Sequence, residues 1–221
     1  MITLALEAAT YHGSTALLRD ATLIGEKSVA MRGREHEALM AAVGDLLEDA
    51  GVKPPELGRI VCGAGPGSFT SLRIAAAIAK GLAIATGATL VPVSSLLLLA
   101  ASRAPLKAGR VLATLDAMRG EHYVQLFDVD AFGTPRALDA ADRVASARLE
   151  EIARDHGAEV IGPQQSDKAL VVPHARGAAR ITNLIESSDP VDLAAWEPGY
   201  GRLAEAQVKW EAEHGRPLIA Q

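Results

Sequence analysis

The first thirty residues fall into short apolar runs separated by turn-like segments such as AATYHGS. Residues 2–7 (ITLALE), 14–19 (STALLR) and 22–30 (TLIGEKSVA) read as three strands, and their short links favour antiparallel neighbours. A helical period follows. Leu39, Met40, Val43, Leu46 and Leu47 fall on one face of a helix over roughly 35–50, with Gly51 as its stop. Next come a strand at RIVCGAG, a helix over 70–86, a short strand at TLVPV and a helix over 94–103.

The second half repeats the first. Residues 110–130 (RVLATLDAMRGEHYVQLFDVD) parallel residues 2–20: an apolar strand, an acid at its end, a small-residue turn and a second strand. Glu7 and Asp116 hold matching places. A third strand near Arg136–Leu138, a helix near 146–156 and a strand at AEVIGP complete the copy. Two tandem copies of strand–strand–strand–helix–strand predict an α/β, actin-like (ribonuclease H-like) duplicated fold. Each lobe has a mixed sheet flanked by helices, and the lobes face each other across a cleft. The expected lobes are 1–105 and 106–221, with RAPLKAG at 103–109 as the linker.

Composition narrows the function. A chain of 221 residues, 49% hydrophobic, can bury a sizeable core. Its net charge of −5 argues against a free-standing nucleic-acid binder, since phosphate contacts need a cationic surface. The charge is unevenly placed. No acid lies between Leu57 and Leu115, where Arg59, Arg73, Lys80, Arg103, Lys107 and Arg110 give +6, leaving −11 elsewhere. The single cysteine, Cys62, sits in an apolar run and is expected buried. The N-terminus lacks the pattern of a signal peptide, and the apolar run near SSLLLLAAS is too short to cross a bilayer; a cytoplasmic protein with no membrane contact is expected.

The stretch GAGPGSFTSLRI (63–74) has the layout of a phosphate-cradling turn between strand and helix. It is not a Walker loop, having no lysine before Lys80, and Ser68 stands where a dinucleotide fingerprint needs its third glycine. Gly65, Pro66, Gly67, Ser68 and Thr70 read as a vestigial loop of that kind. Pro66-Gly67 suggests a type II turn, and Ser68, Thr70 and Ser71 are candidate caps for the helix that follows. The six histidines lie at least 18 residues apart, so no short-spaced metal pair exists.

That helix is apolar nearly all round, with Lys80 its only charge between Ile74 and Ala85. Ile74, Ile78, Gly81, Leu82 and Ala85 form one stripe, expected on the sheet. Ala76, Ala79 and Ala83 form the opposite side, expected to admit a second subunit. With Leu39, Val43, Arg73 and Lys80 they make up the expected partner interface. Glu7 and Asp116 are the expected cleft carboxylates. In actin-like ATPases such acids hold a nucleotide's metal, but Glu replaces the shorter Asp here and no Gly-Gly pair exists to seat an adenosine.

The motifs LALEAAT, REHEALM, GAGPGSFTSLRI, VPVSSL, LDAMRGEHY and EPGYGR resemble, in order and spacing, the bacterial TsaB family over essentially the whole chain. The resemblance implies a non-catalytic scaffold subunit of the complex that adds threonylcarbamoyl to the adenosine next to the anticodon of tRNA. It implies binding to a TsaD-type catalytic subunit and, with a TsaE-type ATPase, assembly around tRNA. Alone, the chain is expected to form a homodimer and carry no cofactor; ATP and a metal ion belong to partner subunits. The catalytic sister carries a His-x-x-x-His metal pair where this chain has Ser95 and Leu99. Departures from the family pattern are Glu7, where Asp is usual, and Ser71, where Gly is usual. The alternative reading is a nucleotide-binding small-molecule kinase of the same fold.

Overall fold

The computed structural model describes residues 1–32, 38–103, 107–163, 171–201, 210 and 213–215. The first lobe is built on β1 (Ile2–Glu7), β2 (His12–Arg19), β3 (Thr22–Ala30), β4 (Leu57–Gly63) and β5 (Thr89–Val93), with α1 (Leu39–Asp49) and α2 (Phe69–Thr86) as crossovers. The sheet runs β3-β2-β1-β4-β5, the first three strands antiparallel, with β4 and β5 parallel to β1. After α3 (Ser95–Ser102) the pattern returns. β6 (Gly109–Asp116), β7 (Glu121–Val129), β8 (Pro135–Ala137) and β9 (Asp142–Ala145) are followed by α4 (Leu149–His156) and β10 (Glu159–Ile161). Here β7 pairs antiparallel with β6, β8 and β9, and β10 runs parallel to β6. The duplication is therefore a property of strand order and direction as well as of sequence.

Alternation decides which side of each sheet is covered. Leu4, Leu6 and Leu17 face α1 and α2, whereas Ala5, Ala16 and Leu18 face the opposite layer. In the second lobe Val111, Ala113, Leu115 and Phe127 face α3, and Leu112, Val124 and Leu126 face α4 through Ala153. Helix α3 lies between the two sheets. Leu98 and Ala101 pack with the first, Leu96 and Leu99 with the second, and so SLLLLAAS has no polar face.

The expected boundary at 105/106 does not hold for the C-terminal part. A 3-10 helix (Ala175–Arg180) and α5 (Thr182–Ser187) pack Ala175, Ala178, Ile181 and Ile185 on the first lobe's sheet. Farther on, Val191, Leu193 and Trp196 pack into the α1/α2 core, and the Val191 N–H donates to the Leu90 carbonyl. Without this return one face of the first sheet would expose its apolar residues. The linker residues 104–106 and the segment 33–37, at the start of the helix expected over 35–50, lie outside the described residues.

Candidate functional site

The turn after β4 spends most of its donors inside the protein. The Ala64 N–H donates to the Val93 carbonyl, the Gly65 N–H to Ser95 Oγ, and the Ser68 N–H to the Ala9 carbonyl at 2.7 Å. The Gly65–Pro66 peptide is cis, and Gly67 is near-extended rather than in the conformation of a type II turn. Gly67 is required by contact: a Cβ there would meet the Ala9 carbonyl oxygen, Cα and Cβ. Ser68 occupies the cap position of α2 without a side-chain cap bond; its hydroxyl pairs with Ser71 Oγ at 3.1 Å. The loop of Gly65, Pro66, Gly67, Ser68 and Thr70 is thus sewn to the β1–β2 turn and the start of α3, with few N–H groups left to cradle a polyphosphate.

Glu7 is not a cleft carboxylate. Its side chain is 0% exposed and sits beneath the end of β4, where a Cβ on Gly63 would meet the carboxylate. It accepts from the Ala9 N–H at 2.5 Å, and Ser95 Oγ donates to its oxygens at 2.9 and 3.2 Å. Burial pushes the carboxyl up to about 7, against the pull of its hydrogen bonds from Ala9, Ser95 and Ala8. The extra methylene of Glu over Asp lets the group reach this inner site, and nothing local in the sequence revealed Ser95 as its partner. Asp116, by contrast, is exposed in the cleft wall and accepts from the Met118 N–H at 2.7 Å. The two acids do not converge. Cys62 is fully buried beside Glu7, and desolvation pushes its thiol up.

The two histidine positions implied by the catalytic relative have become structural here. Ser95 anchors Glu7, and Leu99 is buried between the lobes. Among the described residues no three His, Cys, Asp or Glu side chains come together as for a metal ion.

Between the lobes lies a cleft of about 1000 Å³. The first lobe supplies the β1–β2 turn with Tyr11, Arg32 beyond β3, and the start of α2 with Ser68 and Phe69. The second supplies Asp116 and Arg119 from the β6–β7 turn, Tyr123, and Arg143 of β9. The C-terminal strap crosses it: the Gly199 N–H donates to the Ala64 carbonyl, the Tyr200 ring packs tilted against Phe69 with centroids 4.5 Å apart, and the Tyr123 hydroxyl donates to the Tyr200 carbonyl. Of these, periodicity revealed neither the strap nor the aromatic pairing; EPGYGR was visible only as a motif.

Helix α2 lies the other way round from the expectation. Ala79 is 0% exposed, and Ala76 and Ala83 are buried with it against the sheet. Small side chains let the helix approach the strands closely. Ile74, Ile78 and Leu82 are only half-buried, Ala77, Gly81 and Ala85 are exposed, and Ile84 is 72% exposed. Leu39 and Val43 of α1 are also core residues. Five of the seven expected interface residues are therefore inside. Arg73 is exposed on the outer face, and half-buried Lys80 lies 5.8 Å from the Trp196 ring. By length and composition α2 is apolar enough to cross a membrane, but it packs its alanine side on the sheet.

A second cluster resembles a hydrolase triad and fails as one. His174 Nε2 lies 3.0 Å from Ser28 Oγ, and Nδ1 lies 3.9 Å from Glu26. Nδ1, however, accepts from the Arg176 N–H, so the neutral ring carries its proton on Nε2 and donates to Ser28. Burial, then the charge of Arg176, hold the imidazole below its ordinary value. This histidine cannot take the serine's proton.

Comparison with known proteins places these features. A family model described as TsaD, tRNA N6-adenosine threonylcarbamoyltransferase, matches residues 30–171. The tRNA threonylcarbamoyladenosine biosynthesis protein TsaB of Bacillus subtilis (strain 168) is 28% identical over 95% of this chain and 98% of its own. Its Escherichia coli (strain K12) counterpart is 36% identical over 59% of this chain and 56% of its own. The solved structure of YeaZ from Pseudomonas aeruginosa superposes with a TM-score of 0.74 at 26% identity, covering 90% of this chain and 99% of that one.

Proposed function

The chain belongs to the TsaB family of tRNA threonylcarbamoyladenosine biosynthesis proteins, and on that premise we propose that it is a non-catalytic scaffold subunit, active only in complex. Its partner is a TsaD-type catalytic subunit, with a TsaE-type ATPase joining the assembly in the cytoplasm and tRNA engaged through the complex. Free of partners, the chain pairs with a second copy of itself through the same surface.

The observation that carries the non-catalytic reading is the buried Glu7–Ser95 pair. It withdraws one strand-end carboxylate from the cleft and fills a metal-ligand position with a structural hydroxyl. Of the two strand-end acids only Asp116 is then left in the cleft for a metal–ATP complex, which also disfavours a kinase. ATP and the metal ion belong to the partner subunits.

The docking surface is the outer face of α2. A helix carrying no acid and presenting Ile84, Ala77, Gly81 and Ala85 to solvent is a contact patch awaiting its complement. Arg73 at its start and Lys80 at its middle favour acidic groups on the partner.

Reconstitution tests the reading. Purified chain alone should neither modify tRNA nor hydrolyse ATP, and adding it to the catalytic subunit and ATPase should restore modification. Turnover by the chain alone that is lost in Asp116→Ala would refute it.

A further inference from the structure

The cleft has lost its metal-holding pair, yet it is neither closed nor neutral. The chain has two Trp, three Tyr and three Phe, and this one cleft gathers all three tyrosines and one phenylalanine: Tyr11, Tyr123, Tyr200 and Phe69. In a protein of net charge −5 it also gathers Arg32, Arg119 and Arg143. Its two acids are occupied, Glu121 by Arg143 at 3.5 Å and Asp116 by the Met118 N–H. Arg32 lies over the Tyr11 ring at 3.3 Å. Arg119 is exposed and makes no ion pair with another described residue. With Met118 it occupies the left-handed region, φ 57° and 63°, at the tip of the β6–β7 turn. Side chains rarely adopt that conformation, and two in succession hold the tip at the cleft mouth.

We propose that the cleft binds one nucleotide unit of single-stranded RNA. The base packs against exposed Tyr11 and the Phe69–Tyr200 pair, Tyr123 being buried, and the phosphate meets Arg119. Aromatic faces take any base, arginines supply the counter-charge, and a single phosphate needs no metal. A nucleoside triphosphate fits poorly, because Glu7 is withdrawn and the glycine turn has spent its donors. The choice of RNA over a free nucleotide rests on the tRNA-modification reading; the stacking and phosphate chemistry does not.

The test is fluorescence polarisation of a labelled single-stranded oligoribonucleotide with the full chain, competed by unlabelled oligomer or by AMP. Binding should weaken several-fold as salt rises from about 50 to about 200 mM. Arg119→Glu and Tyr11→Ala, both at exposed positions and checked for native circular dichroism, should each weaken it about tenfold. Displacement by both, with the oligomer effective at lower concentration than AMP, supports a strand seated by one nucleotide in the cleft; equal displacement by AMP supports the same site with a free nucleotide as its source. No polarisation change at millimolar chain, or unchanged binding by both variants, overturns the proposal. The proposed function would survive that result if reconstituted tRNA modification still required the chain.

Discussion

Replacing Glu7 by Gln isolates the one acid that, among the described residues, the fold has taken wholly out of water. In the folded protein its carboxyl titrates near 7, and in the unfolded chain near its ordinary 4.5. Between those values the folded state holds a proton that the unfolded state has released, so stability falls as pH rises through the window. The full difference corresponds to about 3 kcal/mol, present below pH 4.5 and lost above 7. Glutamine mimics the protonated acid: its carbonyl keeps the Ala9 N–H, and its amide faces Ser95 Oγ. Urea denaturation of both proteins, followed by circular dichroism, should give similar stabilities near pH 4.5. By pH 8 the variant should be the more stable by about 2–3 kcal/mol. Subtracting one curve from the other removes the background of the exposed carboxylates. A variant that is less stable at pH 8 than wild type would mean that Glu7 is ionised and held by its hydrogen bonds, and the burial argument would be wrong.

Two further substitutions probe the packing. Ala79→Arg places a charge against the sheet at a position with no exposure, and should cost at least about 3–5 kcal/mol, seen as lost soluble expression or collapsed thermal melting. Gly67→Ala drives a methyl group into Ala9 and should lower the urea midpoint by the equivalent of about 2–3 kcal/mol, because two of the three atoms it meets, the carbonyl oxygen and Cα, are main chain.

β1, β2, β6 and β7 were readable, and with them the duplication, as apolar runs of strand length ending in turns, because central strands covered on both faces need apolar residues at nearly every position. Helix α2 was legible as a helix but not in its orientation. When every side is apolar, hydrophobicity cannot choose a face, and here size chose it: alanines pack close and isoleucines are left outside. Glu7 was legible as a strand-end acid but not as a buried one, since its partner Ser95 is 88 residues away. The cleft's aromatic lining was hidden for the same reason. Tyr200 meets Phe69 only because residues 189–201 return across the first lobe, and that segment has no period to read.

The central claim is that the outer face of α2 holds the catalytic partner, and Ile84→Arg tests it most directly by calorimetric titration with a TsaD-type subunit. On the free chain this exposed position tolerates the change, and the melting temperature should stay close to wild type. In the complex an unpaired charge would be buried, and affinity should fall by about a hundredfold or more. Binding of the folded variant at wild-type affinity would contradict the account.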